Sequence, residues 1–193
     1  MSTRPSSTKA IISLQRTQYL LVTSAFEFLP MLLIRPATVD DVTLLRTMIR
    51  ELAEFEHELD AVTITEEDLA RDGFGRNPKY RAFILMWDGK VAGYGLVFDC
   101  YSTWMGRQLF LEDLFVRADF RGRGIGKSVF AHFARLAKDE GYRAMRWEVL
   151  EWNQPAIDLY RSLGGEFLDD WKLVMLRGEA LDRLAEQGSE CKK

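Results

Sequence analysis

The sequence predicts a mixed α/β (α+β) fold, a central sheet of mixed strand direction with helices on both sides. Three features predict it. Strand-like runs and helical stripes follow one another in the order β-α-α-β-β-β-α-β-α-β. An Asp88-Gly89 pair joins two of the middle runs as a hairpin turn, because both positions tolerate positive φ. A glycine-rich loop ending at Gly126 opens a long helix. The chain has 193 residues, 47% of them hydrophobic, enough to bury a full core without disulfide or metal staples.

Taken in order, Met31–Arg35 is a short apolar run that reads as a first strand closed by Pro36. Thr38 caps a helix, with Asp41 three residues on as a partial capping box. Val42, Leu45, Ile49, Leu52 and Ala53 carry its apolar stripe to about Glu58. Thr65 caps a shorter helix whose first turn holds Glu66, Glu67 and Asp68, and Gly73 is expected to stop it. Arg81–Trp87 and Lys90–Asp99 are the hairpin strands, and Gly93 and Gly95 in the second signal a bulge or a close backbone approach. Gln108–Val116 is a third strand. Gly124–Gly141 is a helix that buries Val129, Phe130, Phe133, Ala134 and Ala137. Ala144–Leu150 is a strand and Pro155–Leu163 a short helix, with Pro155 in the first turn where its missing N–H costs nothing. Gly164-Gly165 ends that helix, Trp171–Leu176 is a last strand, and Glu179–Glu186 is a polar helix.

Net charge −3 and a pI near 5.5 argue against nucleic acid as a partner. Two distant cysteines, Cys100 and Cys191, and two histidines, His57 and His132, give neither a disulfide framework nor zinc spacing. No metal is expected, and a reducing cytoplasm is the expected setting. Residues 1–30 differ in composition: Arg4, Lys9 and Arg16 stand against the single acid Glu27 among many Ser and Thr. That is the composition of a transit peptide or a disordered tail, so 1–30 is expected to be an extension and 31–193 one domain beginning at Met31. The apolar stretch Tyr19–Phe26 is too short to span a bilayer, and no membrane segment is expected.

The most informative stretch runs from Leu111-Glu112-Asp113-Leu114-Phe115-Val116 into Arg121-Gly122-Arg123-Gly124-Ile125-Gly126-Lys127-Ser128. First-turn N–H groups of a helix lack internal partners, the helix dipole favours anions there, and glycines allow close approach. Arg121, Arg123 and Lys127 add positive charge, so an acidic chain concentrates a phosphate cradle at one point. The glycine spacing at 122, 124 and 126 does not fit the dinucleotide G-x-G-x-x-G pattern. Gly126-Lys127-Ser128 fits the end of a P-loop, but Arg121 stands where its first glycine belongs. Arg121, Gly124 and Gly126 do satisfy R-x-x-G-x-G.

Downstream lies Glu151-Trp152-Asn153-Gln154-Pro155-Ala156, followed by Tyr160. On these motifs the sequence resembles the GNAT acetyltransferase superfamily. Ile34-Arg35-Pro36-Ala37-Thr38, Glu51-Leu52-Ala53-Glu54-Phe55-Glu56, Asp72-Gly73-Phe74-Gly75 and Leu111-Glu112-Asp113 make it similar to the diamine (spermidine/spermine) acetyltransferase group. The resemblance covers roughly residues 33–177 and implies a largely antiparallel sheet and a homodimer. It implies acetyl-CoA as co-substrate, its diphosphate on Arg121, Gly122, Arg123, Gly124, Ile125, Gly126 and Lys127, its pantetheine arm along Leu114, Phe115 and Val116, and contacts from Asn153 and Ala156.

The reaction so implied is acetyl transfer to a primary amine. An alkylammonium titrates near pH ~10.4, so a proton must leave before attack. No Cys or Ser nucleophile stands out, which favours direct attack in a ternary complex. Tyr160 matches the family's tyrosine as hydrogen-bond donor to the departing thiolate; its spacing equally suits a core tyrosine. Glu112 is the candidate base, through water. Strict alternation sends Glu112 and Asp113 to opposite faces, so only one of them faces a given cleft, and either also suits a structural ion pair. The resemblance favours Glu112. Phe55 and Glu56 match the family's Tyr-Glu pair, with Phe for Tyr. Trp152, Asp170 and Trp171 complete the candidate substrate residues, since carboxylates and aromatics hold ammonium groups. The expected substrate is a small cationic amine, a diamine or polyamine or else a lysine analogue such as thialysine. A P-loop nucleotide-binding protein is the remote alternative.

Overall fold

The computed structural model describes residues 31–190; the expected extension over 1–30 and Cys191 lie outside the described residues. The chain divides into two compact units, one ending at Glu148 and the other beginning at Val149.

The first unit holds β1 (Leu32–Pro36), α1 (Val42–Phe55), α2 (Glu66–Phe74), β2 (Arg81–Trp87), β3 (Lys90–Ser102), β4 (Gly106–Val116), α3 (Ile125–Asp139) and β5 (Ala144–Arg146). The strands lie side by side in the order β1-β2-β3-β4-β5. Every pairing is antiparallel except β4 with β5, which is parallel. Thr38 and Asp41 form the expected capping box, the Thr38 N–H donating to Asp41 Oδ2 at 2.8 Å, but a single 3₁₀ turn, Val39–Asp41, precedes α1. Arg35 reaches back from β1 and grips both oxygens of Asp41 at 2.8 and 2.7 Å. That fork holds the buried Asp41 carboxyl down at about 2.

Helices cover both faces of this sheet. On one, Leu45 and Met48 of α1 pack with Ile84, Tyr94, Leu96 and Phe115. On the other, Phe133 of α3 meets Phe83 edge-on, ring centroids 5.2 Å apart. The two strand glycines are explained by close approach: a Cβ on Gly93 would strike the Phe115 carbonyl oxygen, and one on Gly95 would lie 2.8 Å from the Phe133 ring. His132 is structural, its ring centroid 5.6 Å from that of Phe83 and 5.5 Å from that of Phe133.

Three expectations are corrected. Gly73 does not stop α2, which continues to Phe74; the Tyr80 ring lies where a Gly73 side chain would stand, so the glycine answers a packing need. The strand expected over 144–150 ends at Arg146, because β5 meets β4 only over Gln108–Phe110 and then leaves the sheet. Trp171–Leu176 is not a strand: the second unit holds α4 (Gln154–Ser162) and α5 (Glu179–Glu190) but no strand among its described residues. An apolar run needs a partner's backbone to become a strand, and here Trp171 and Val174 stay 68% and 88% exposed.

Candidate active site

The cradle is built where β4 hands the chain to α3. Gly122 and Gly124 have φ of 73° and 77°, a left-handed conformation that L side chains adopt only with strain. A Cβ on either would meet open space, so the glycines answer the backbone and leave room beside it. Gly124 is the N-cap of α3, and the N–H groups of the turn it opens have no partner within the helix. Arg121 is fixed at both ends of its guanidinium side: Nε donates to the Val116 carbonyl at 2.8 Å, and the plane lies 4.8 Å from the Phe55 ring centroid. Arg123 donates to the Asp119 carbonyl at 3.0 Å and sits 5.7 Å from the ring centroids of both Trp87 and Phe120. Lys127 is exposed on the first turn. Arg117, next after β4, is clamped by Glu51 of α1 through two bonds of 2.7 Å, which ties the start of the loop to the helix.

Upstream, β4 and β5 part. Their ladder ends at Phe110 opposite Arg146, so the edge of β4 from Leu111 to Val116 runs on without β5 beside it. At that point β4 contains a bulge. Leu96 pairs with Asp113 and Val97 with Leu111, which leaves Glu112 as an extra residue opposite no partner. The bulge interrupts the regular alternation along β4: Leu111 and Asp113, two residues apart, lie on opposite faces, with Glu112 the extra residue between them. Phe115 is buried in the α1 core, so among Leu114, Phe115 and Val116 it offers the gap its backbone and not its ring.

Glu112, Asp113 and Glu56 are carboxylates raised near the bulge. Burial first, then the neighbouring charges of Asp113 and Glu148, push the Glu112 carboxyl above the usual range. Glu56, one residue beyond α1, is raised by burial and then by Asp113 and Glu58. Asp113 is raised by burial, against which the Tyr94 hydroxyl donates a hydrogen bond of 2.7 Å that favours the charged form. His57, between the two glutamates after α1, has φ 63°, a left-handed conformation. Tyr94 is the residue that sequence reasoning passed over. A tyrosine inside a strand reads as core, and only the hydrogen bond to Asp113, diagonally across on β4, gives its hydroxyl a role.

Of the other expected residues, Asn153, Ala156 and Tyr160 belong to the second unit. Asn153 caps α4, its Oδ1 accepting from the Ala156 N–H at 3.4 Å. Tyr160 is half-buried on that helix, and Trp152, Asp170 and Trp171 are exposed. Among the described residues no group of three or more His, Cys, Asp or Glu is placed to hold a metal ion, and no helix is long and apolar enough to cross a membrane.

A glycine-rich loop opening a helix, two parting strands and a raised carboxylate beside them accord with what comparison finds. Residues 45–164 match the acetyltransferase (GNAT) family. The thialysine N-epsilon-acetyltransferase of Sus scrofa is 43% identical over 164 residues, 79% of this chain and 96% of that protein. The human spermidine/spermine N(1)-acetyltransferase-like protein 1 is 34% identical over 158 residues, 77% of this chain but 23% of that longer protein. Among solved structures, an aminoglycoside N-acetyltransferase, AAC(6')-Iy, in complex with CoA shares the fold with a TM-score of 0.59 at 21% identity, over 78% of this chain and 96% of that one. The chain belongs to the GNAT family and is an N-acetyltransferase.

Proposed function

We propose that this enzyme moves the acetyl group of acetyl-CoA directly onto a primary amine of a small cationic substrate. The observation that carries the reading is the bulged Glu112 at the point where β4 and β5 part, a raised carboxylate with no strand partner. A base works best when its pKa lies near the working pH, and burial and neighbouring anions move Glu112 toward that condition. Glu112 takes the proton of the incoming ammonium through water. The N–H groups at the start of α3, with Gly122, Gly124, Arg121, Arg123 and Lys127, fit a diphosphate. The open space beside both left-handed glycines supports that fit. The unpaired edge of β4 over Leu114–Val116 receives the pantetheine arm. Acetyl-CoA supplies the thioester; the chain supplies orientation and proton handling.

Tyr160, with Asn153 and Ala156 on α4, is assigned to the thiol end. Full proton transfer from a tyrosine of pKa ~10 to a thiolate of ~8.5 is uphill by about 2 kcal/mol, so Tyr160 acts as a hydrogen-bond donor. Phe55, Glu56, Trp152, Asp170 and Trp171 are assigned to the amine. The neighbouring carboxylates of Glu56 and Asp113 favour a cation. The identity spread along nearly the whole length of the thialysine enzymes supports a lysine-like amine, and the polyamine-type relative supports a diamine as the second candidate. The family match crosses the boundary at Glu148, which supports reading 31–193 as one catalytic domain. A homodimer rests on the family resemblance, and a cytoplasmic setting on the scattered cysteines.

The test is an amine panel with acetyl-CoA, following free thiol. Thialysine and short diamines are expected to turn over, and amino acids without a side-chain amine are not. Equal rates across charged and neutral amines would remove the cationic-substrate reading.

A further inference from the structure

Tyr94 is wholly buried in the middle of β3, and its hydroxyl donates to Asp113 Oδ2 at 2.7 Å. That hydroxyl is the polar partner of Asp113 among the described residues; no arginine or lysine pairs with it. Placing a carboxylate against a strand core without a cation is costly, and an apolar pair of the same shape would fill the space more favourably. The pair stands beside Glu112, and the bulge that makes Glu112 the extra residue of β4 falls between Leu111 and Asp113. Its location is therefore not explained by packing.

We propose that Asp113, locked by the Tyr94 hydroxyl, is a positioning residue that acts on the reaction through Glu112, as a fixed second anion behind the base. The inference rests on Glu112 being the base. Among the described residues the charges that act on Glu112 are Asp113 on its own strand and Glu148 just past β5, while Tyr94 on β3 lies within reach of Asp113, Glu56 and Glu112. An ionised Asp113 makes it harder for Glu112 to lose its proton, which raises the pH at which Glu112 becomes free to accept one from substrate. Burial favours the neutral Asp113, and the Tyr94 hydrogen bond works against it by favouring the ionised form.

The sign follows. Asp113→Asn keeps an acceptor for Tyr94 and removes the charge, so Glu112 ionises at lower pH. Tyr94→Phe removes the donor, Asp113 takes up its own proton more readily, and Glu112 again ionises at lower pH. The experiment is the pH dependence of kcat/KM for wild type, Asp113→Asn, Tyr94→Phe and Glu112→Gln, with circular dichroism melts of each. The expected result is an acidic limb displaced to lower pH in Asp113→Asn and, in the same direction, in Tyr94→Phe, and a limb lost in Glu112→Gln. A limb lost in Glu112→Gln but unmoved in both other variants overturns the positioning role while leaving the base in place. A limb unchanged in Glu112→Gln removes the base and this inference together. If Asp113→Asn does not fold, Tyr94→Phe alone decides, since its smaller change leaves the carboxylate where it is.

Discussion

The two ends of the first unit's candidate site are built by opposite means. At the cradle, the binding groups are backbone N–H donors and exposed cations on a loop whose shape two left-handed glycines fix. At the bulge, the groups are carboxylate side chains raised first by burial, with neighbouring charges adding at Glu112 and Glu56, and held by a strand irregularity and a buried tyrosine. In the proposed function the positive end is assigned the ligand that every catalytic cycle shares, and the negative end the amine and the proton chemistry. Changes at the first should therefore appear as affinity for CoA, and changes at the second as turnover and pH dependence.

That division can be broken in several ways. The largest effect is expected from Glu112→Gln, a fall in kcat of about 10²-fold with CoA affinity retained. An equal loss in CoA binding, measured by calorimetry, would merge the two ends. Tyr160→Phe should lower kcat at least about tenfold, again without weakening CoA, because the ring stays and the proposed donor to the thiolate is removed. Stopped-flow thiol release checks it, and unchanged turnover would take Tyr160 out of the mechanism. Gly124→Val places a β-branched residue at φ 77°. It should strain the loop by roughly 1–3 kcal/mol and weaken CoA about tenfold or more while the pH profile keeps its shape. The smallest effect lies outside both ends. Asp41→Asn loses the Arg35 fork and should destabilise the fold by on the order of 1–2 kcal/mol near neutrality. The Asp41 carboxyl is held at about 2 when folded, so its contribution is present above the unfolded carboxylate range and fades as pH falls toward that value. Melting curves of variant and parent should converge in acid.

The glycine-rich loop and the helix it opens were legible in the sequence and the bulge was not, for one physical reason. Positive φ at Gly122 and Gly124, and orphan N–H groups ahead of an apolar helix, are local properties that residue types announce. The Asp88-Gly89 turn, with φ of 48° and 74°, was legible on the same ground. The bulge depends on which residue of β3 stands across from which residue of β4. Nothing in Leu111-Glu112-Asp113 alone says that alternation breaks there. Gly73 was misread because its reason lies in Tyr80, seven residues on in the chain and stacked over it in the fold. Trp171–Leu176 has strand-like residues, but a strand is made by its neighbour, and the second unit offers none among its described residues.

The most direct measurement is a calorimetric titration of the intact chain with CoA, set beside the same titration with ATP–Mg and with Gly124→Val. Saturable binding of CoA that weakens in Gly124→Val, with no heat from ATP–Mg, is the predicted result. No heat from CoA alongside tight ATP–Mg binding would contradict the assignment of the loop before α3.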